Sequence, residues 1–419
     1  MRNLKIIVLV AGLINSFLPA RANPGPFSSK DGPVRAKMEQ AWKLTWNEFY
    51  HPKTSMFYDY LSSYLPGRGL DHLPKAREVR KQFPNVQGYD TGMEDCMISA
   101  GVLMDMVIDK YEVTHDEEMK SSAYAIYKGI RNSAMSPGIE GFVARCVCVE
   151  DGKSIYISSS RDQFTHAVFG LWQYYFSPLS TDSVRTEVAE ILSFIADRAI
   201  KFVTPENDYD FSRADGSRDT RGISRMWNVD THEWARLPMI YAAAWTTSRD
   251  SRYFDQYIKY GEEGILKSNG NVDKVTTYAL LQMAISLDLL ERYERSAQSR
   301  KSIAEIKKRL AGIAQNRARE AVKRSMDLDL TRVGSDWRDN EGLRPSGEYR
   351  KVWYVLREIG EAALTQLVAN PESFNSEQKE LLTTMINKID FNTVSSNGIF
   401  YIQAAYWKAR KLGLISEKE

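Results

Sequence analysis

The sequence predicts an all-α protein, an (α/α)6 toroid of six helical hairpins, and three regularities predict it. Helical periodicity recurs in twelve segments between residues 33 and 413. These segments alternate in character. The fourth, sixth, eighth, tenth and twelfth contain nearly continuous apolar runs, as in AVFGLWQYYF or IFYIQAAYW, whereas the third, fifth, seventh and ninth keep a polar face, as in VRTEVAEILSFIADRAIKFV. The connections alternate as well, being short after the apolar helices (Ser177-Pro178-Leu179-Ser180) and long before most of them (51–92, 134–161, 204–231, 324–348). Short turns make antiparallel pairs, and long loops in a compact domain usually carry function. Apolar helices in an inner ring and amphipathic ones in an outer ring put the long loops at one end, where the inner helices begin. An α-solenoid would show a consensus repeat, and none is present.

In chain order, Arg2 and Lys5, the apolar run Ile6 to Leu18 and Ala20-Arg21-Ala22 have the layout of an export signal ending before Asn23. That run is too short to span a bilayer, and no cysteine follows it to take a lipid anchor. Residues 1–22 are therefore set aside, and 23–419 are expected to form one toroidal domain in the periplasm or outside the cell. Helices are expected near 33–50, 93–112, 116–133, 162–177, 181–203, 232–247, 250–267, 272–293, 299–323, 349–370, 375–388 and 397–413. Between the third and fourth, Gly141–Val149 and Ser154–Ser158 read as a β-hairpin about Asp151-Gly152 at the cleft end. Of three cysteines, Cys146 and Cys148 are too close for a good local bridge. Buried free thiols are expected, with pairing of either to Cys96 left open.

Composition narrows the function. With 56 basic and 54 acidic residues and no block of one sign, neither nucleic acid nor an anionic membrane is an expected partner. Nine Trp and 22 Tyr suit stacking on sugar rings, although a large core also consumes aromatics. No Cys/His spacing marks a metal site and no cofactor motif is present. The loop DYDFSRADGSRD alternates oxygen donors without the order of a calcium loop.

Three short segments carry a resemblance. Asp90-Thr91-Gly92-Met93 before the second helix, Asp162 opening the fourth and Trp234-Ala235-Arg236 opening the sixth resemble segments of the unsaturated uronyl hydrolases, within the six-hairpin glycosidase superfamily. Leu237-Pro238 stands where those enzymes carry a glycine. The resemblance spans the chain after its leader and implies the toroid and glycoside chemistry, with Asp90 and Asp162 in the place of the essential aspartates.

Glycoside cleavage needs a proton donor and usually a second carboxylate. Asp162 and Asp90 are the first candidates, with Glu233 or Asp230 in reserve and His166 one turn beyond Asp162. Asp230 and Glu233 have the spacing of a capping box. Substrate contacts are expected from Gln163, His232 and Glu94, from Arg161, Arg145 and Arg225, whose guanidinium groups suit an acidic sugar, and from Trp227, Tyr156 and Trp337 as stacking platforms. The expected partner is an oligosaccharide or polysaccharide fragment. Two alternatives stand beside hydrolysis. One is a lyase on the same toroid, using His166, His232 or Tyr156 with arginine; the other is a glycan-binding protein without catalysis.

Overall fold

The computed structural model describes residues 32–135, 137–331 and 347–417. Residues 1–22, expected as a leader, and Trp337 lie outside them. Helices α1 (Pro33–Leu44, extended by a π turn to Phe49), α3 (Cys96–Thr114), α4 (Glu118–Met135), α5 (Arg161–Phe176), α6 (Asp182–Phe202), α7 (Arg236–Ser248), α8 (Ser251–Lys267), α9 (Thr277–Tyr293), α10 (Ala297–Ser325), α11 (Gly347–Ala369), α12 (Ser376–Lys388) and α13 (Gly398–Lys411) match the twelve expected segments. A short α2 (Ala76–Arg80) is added in the loop before α3.

The helices form two rings. Inner helices α3, α5, α7, α9, α11 and α13 pack each on the next, and α13 packs back on α3 to close the circle. Helices α1, α4, α6, α8, α10 and α12 lie outside, each against its inner partner. The reason lies in the side chains. Helix α3 is buried on every face from Cys96 to Lys110, whereas α8 buries only Tyr253, Tyr257, Tyr260, Gly261, Gly264 and Ile265, one stripe at helical spacing. Glycine sets the inner spacing at α3–α5, where a Cβ on Gly101 would lie 2.3 Å from the His166 carbonyl oxygen.

Two expectations are corrected. Segment 141–158 is not a β-hairpin: Cys148 N–H bonds Ser154 O at 2.8 Å, but no strand ladder follows. Its carbonyls are taken by side chains instead, Val143 O by the Ser159 hydroxyl and Val147 O by the Tyr58 hydroxyl at 2.7 Å. The one small sheet among the described residues pairs β1 (Tyr50–His51) with β2 (Met56–Phe57). The second correction concerns the thiols. Cys96 and Cys146 form a disulfide across 5.3 Å between Cα atoms, and Cys148 alone is a buried free thiol. The bond joins the first residue of α3 to the 142–148 segment packed beside it. No described helix is long and apolar enough to cross a membrane.

Candidate active site

The starts of α3, α5 and α7 meet α11 and the start of α13 at one end of the ring. A helix start exposes N–H groups without intrahelical partners, and at α3 a carboxylate from elsewhere in the chain takes them. Asp59 Oδ2 accepts from Glu94 N at 2.6 Å and from Asp95 N at 3.2 Å, and Oδ1 accepts from Asp95 N at 3.1 Å. Asp59 is itself held by both neighbours, its N–H on Gly92 O and its carbonyl accepting from Asn397 N at 3.1 Å. Asp90 has φ +67°, a left-handed turn that aims its N–H at Glu94 Oε1 (2.6 Å). Asp95 receives Arg357 Nη1 at 2.7 Å and Gln163 Nε2 at 3.3 Å.

Four carboxyl groups, Asp59, Asp90, Glu94 and Asp95, thus crowd one helix start, with Arg357 as the guanidinium among them. Arg357 is buried, bonds Glu361 Oε1 at 2.7 Å, and lies 4.9, 5.2 and 5.8 Å from the rings of Trp353, Tyr401 and Tyr278. Burial first, then the charges of Asp59, Asp95 and Asp90, push the half-buried Glu94 well above the usual carboxylate range. Glu361 is raised to about 7, chiefly by burial.

Asp162 behaves in the opposite sense. Burial would raise it, but Arg236 and then Arg161 hold it below its ordinary value. It pairs with Arg236 Nη1 of α7, whose Nη2 bonds Gln282 Oε1 of α9 at 2.7 Å. Its side chain keeps 27% exposure, enough to meet a ligand. One turn on, burial drives His166 down to about 3, so its imidazole is neutral. Tyr278, on α9, is partly exposed and feels the charges of Asp162, Arg357 and Arg236, which places it at the same floor.

Among the residues expected from sequence, Asp162, His166, Asp90 and Glu94 come together here. Gln163 is fully buried and ties α5 to α3 through Glu94 O at 2.8 Å. Arg145 is buried too, bonding Glu94 O at 3.1 Å and lying 5.0 Å from the Tyr89 ring. Arg161 pairs with Glu233 and donates to Gly222 O (2.6 Å) and Arg225 O (3.0 Å), bolting the 205–225 loop to α5. Glu233 also meets His232 Nε2 at 3.5 Å and falls to about 2, because the His232 hydrogen bond and the Arg236 and Arg161 charges outweigh its burial.

Other expectations are corrected. Asp230 is exposed and its side chain caps nothing, because Glu233 turns to Arg161 rather than completing a capping box. Arg225 pairs with Asp208 in its own loop. Trp227 is no platform, being packed edge-on between Trp234 (4.6 Å) and Tyr260 (4.7 Å). Tyr156 is buried against Gly88 with its hydroxyl on Phe83 O (2.6 Å), which removes it as a lyase base. In the 208–221 loop, Asp210 takes the amides of Ser212 and Asp219, and Asp219 takes the Ser158 hydroxyl at 2.6 Å, so these oxygens serve the loop itself.

Sequence reasoning missed Asp59, Arg357, Glu361 and Tyr278. Asp59 sits in no helix and no motif. Arg357 and Glu361 did leave a signal, an Arg/Glu pair at i, i+4 in the helix that carries the apolar run VWYVL.

One carboxyl, Glu94, is thus raised and a second, Asp162, depressed at the starts of neighbouring inner helices. Environments that push two carboxyls apart are how acid and base roles are divided in such sites.

No protein-family model and no curated protein matches this sequence. Among solved structures, a sugar epimerase from a ruminal bacterium superimposes with a TM-score of 0.53 at 13% identity, over 91% of this chain and 99% of the other. The likeness is one of fold, the helical toroid. The GH76A α-1,6-mannanase of Salegentibacter sp. HEL1_6 aligns at 12% identity with a TM-score of 0.35, over 80% of this chain and 100% of the other. An inactive variant of it in complex with α-1,6-mannotetrose aligns at 13% identity with the same score.

Proposed function

We propose that this chain is a carbohydrate-active enzyme that hydrolyses a glycosidic bond in an oligosaccharide, Glu94 giving the proton and Asp162 serving as the ionised carboxylate. The observation that carries the reading is the opposite displacement of these two groups at the starts of α3 and α5. Glu94 takes the place of Asp90 as the proton donor in this reading, because burial and the charges of Asp59, Asp95 and Asp90 raise it. Departure of the leaving sugar takes the Glu94 proton onto the glycosidic oxygen. Asp162 faces the anomeric carbon, attacking it or activating water.

An acidic sugar suits the rim. The exposed Arg221 lies 5.3 Å from the Tyr89 ring, which the buried Arg145 also meets, at 5.0 Å. Export to an oxidising compartment is proposed from the leader together with the buried Cys96–Cys146 bond. A screen of acidic and neutral oligosaccharides with wild type, Glu94→Gln and Asp162→Asn tests the function. Release of reducing ends by wild type and loss by about 10² to 10⁴-fold in Glu94→Gln is the expected result. Full activity in both variants would overturn the assignment.

A second reading is epimerisation of a sugar, the superimposed structure being named a sugar epimerase. His166, one turn beyond Asp162 on α5, is the side chain such a reaction would call on. Solvent deuterium entering a sugar carbon without bond cleavage would mark that chemistry. A new ultraviolet-absorbing double bond would mark elimination.

A further inference from the structure

The segment Glu94-Asp95-Cys96 is the most tightly held stretch of the floor. Arg145 and Gln163 take the Glu94 carbonyl, the disulfide fixes Cys96, and Asp59 takes the amides of Glu94 and Asp95. Asp59 comes from the segment after β2, in no contact with the helix by sequence, and only 3% of it is exposed. An asparagine would satisfy the two amides almost as well, since Oδ2 alone reaches both. A full negative charge in that place, next to three other carboxyls, has an electrostatic cost that bonding to amides does not require.

We propose that Asp59 is a positioning residue, setting the height of Glu94 through its amide and confining a proton to the Glu94 carboxyl through its own charge. This rests on the hydrolase reading for its catalytic meaning but not for its physical content. The proton belongs on Glu94 rather than Asp59 for a geometric reason. Burial and the Asp95 charge raise Asp59 as well, but both its oxygens accept N–H bonds and Arg357 lies near, which favour its ionised form, whereas Glu94 engages Oε1 with a single amide. The groups facing Glu94 are consistent with this. Its own segment brings Asp90 and Asp95. The 142–148 segment brings Arg145, bound to the backbone carbonyl rather than the carboxyl. Helix α5 brings Gln163 with Asp162 and His166 on its first turns, and α11 brings Arg357, which is shared between Asp95 and Glu361. Asp59 is the strongest negative influence among them.

The test is infrared difference spectroscopy on the full chain, which sees the carbonyl stretch of a protonated carboxylic acid directly. Wild type minus Glu94→Gln at pH 7 is expected to show that band, and Asp59→Asn to lose it, its midpoint moving down by about one pH unit or more. A band that persists unshifted in a folded Asp59→Asn overturns the proposal. Should Asp59→Asn fail to fold, titration of the wild-type band decides: a Glu94 midpoint at or above neutrality supports it, and one below pH 5 overturns it. In turnover, Asp59→Asn is expected to shift the basic limb of the kcat/KM profile towards acid while KM is kept. Absence of turnover on every sugar would sink the hydrolase reading and leave the spectroscopic result standing.

Discussion

At the scale of single residues, the floor is governed by charges that cannot be removed one at a time. Arg236 is 1% exposed and has Asp162 and Gln282 for partners. Asp162→Asn therefore has two expected effects: a fall in kcat of about 10³-fold, and a loss of about 2 kcal/mol in chemical unfolding, because a buried guanidinium keeps only neutral partners. An Asp162→Asn protein as active as wild type would be incompatible with the site. Glu233 offers a pH signature with a defined sign. Its folded value, about 2, lies below the ordinary 4.5, so the folded state binds the proton less tightly than the unfolded chain. Its contribution, on the order of 3 kcal/mol, is present above about pH 4.5 and is lost as pH falls towards 2. Stability measured against pH should be flatter over that window in Glu233→Gln.

At the scale of elements, two glycines separate packing from propensity. Gly101 lets α3 and α5 touch, its hypothetical Cβ meeting the backbone of His166, which cannot step aside. Gly101→Val is expected to cost about 3 kcal/mol and to disturb the site through α5. Gly312 of α10 is exposed with nothing within 4 Å of its Cβ position, so Gly312→Ala should gain up to about 1 kcal/mol. Denaturant midpoints check both signs. The helices themselves were legible because the two rings demand different faces: an inner helix is covered all round and an outer one on a stripe. The 141–158 segment was misread for the same kind of reason. Its apolar alternation reflects burial between α3 and α5, and its backbone is satisfied by serine and tyrosine side chains rather than a ladder.

At the scale of the whole molecule, the toroid must be closed, and closure is made at the end away from the site. Lys408 of α13 meets Asp109 at 2.7 Å and Asp105 at 3.1 Å on α3, and Lys411 meets Asp109 at 2.9 Å. Asp109 is 1% exposed. Lys408→Met leaves Asp105 and Asp109 short of charge compensation and is expected to cost about 3–5 kcal/mol in chemical unfolding. Its effect on kcat should follow the fraction folded, since no residue of the floor is touched. A variant of wild-type stability would show that packing of α13 on α3 closes the ring without these ions.

The sequence by itself determined the ring. Periodicity, the alternation of oily and amphipathic helices and the alternation of loop lengths are local properties, and they require an inner and an outer layer with one functional end. It also marked Asp162, His166 and Glu94, because helix starts can be found from the chain. What only the tertiary structure decided is how these carboxyls are displaced, Glu94 upwards and Asp162 downwards. That depends on Asp59 and Arg357, which reach α3 from 36 and 262 positions away respectively. Protonation follows from the distances among buried charges, and those distances exist only once the ring has closed.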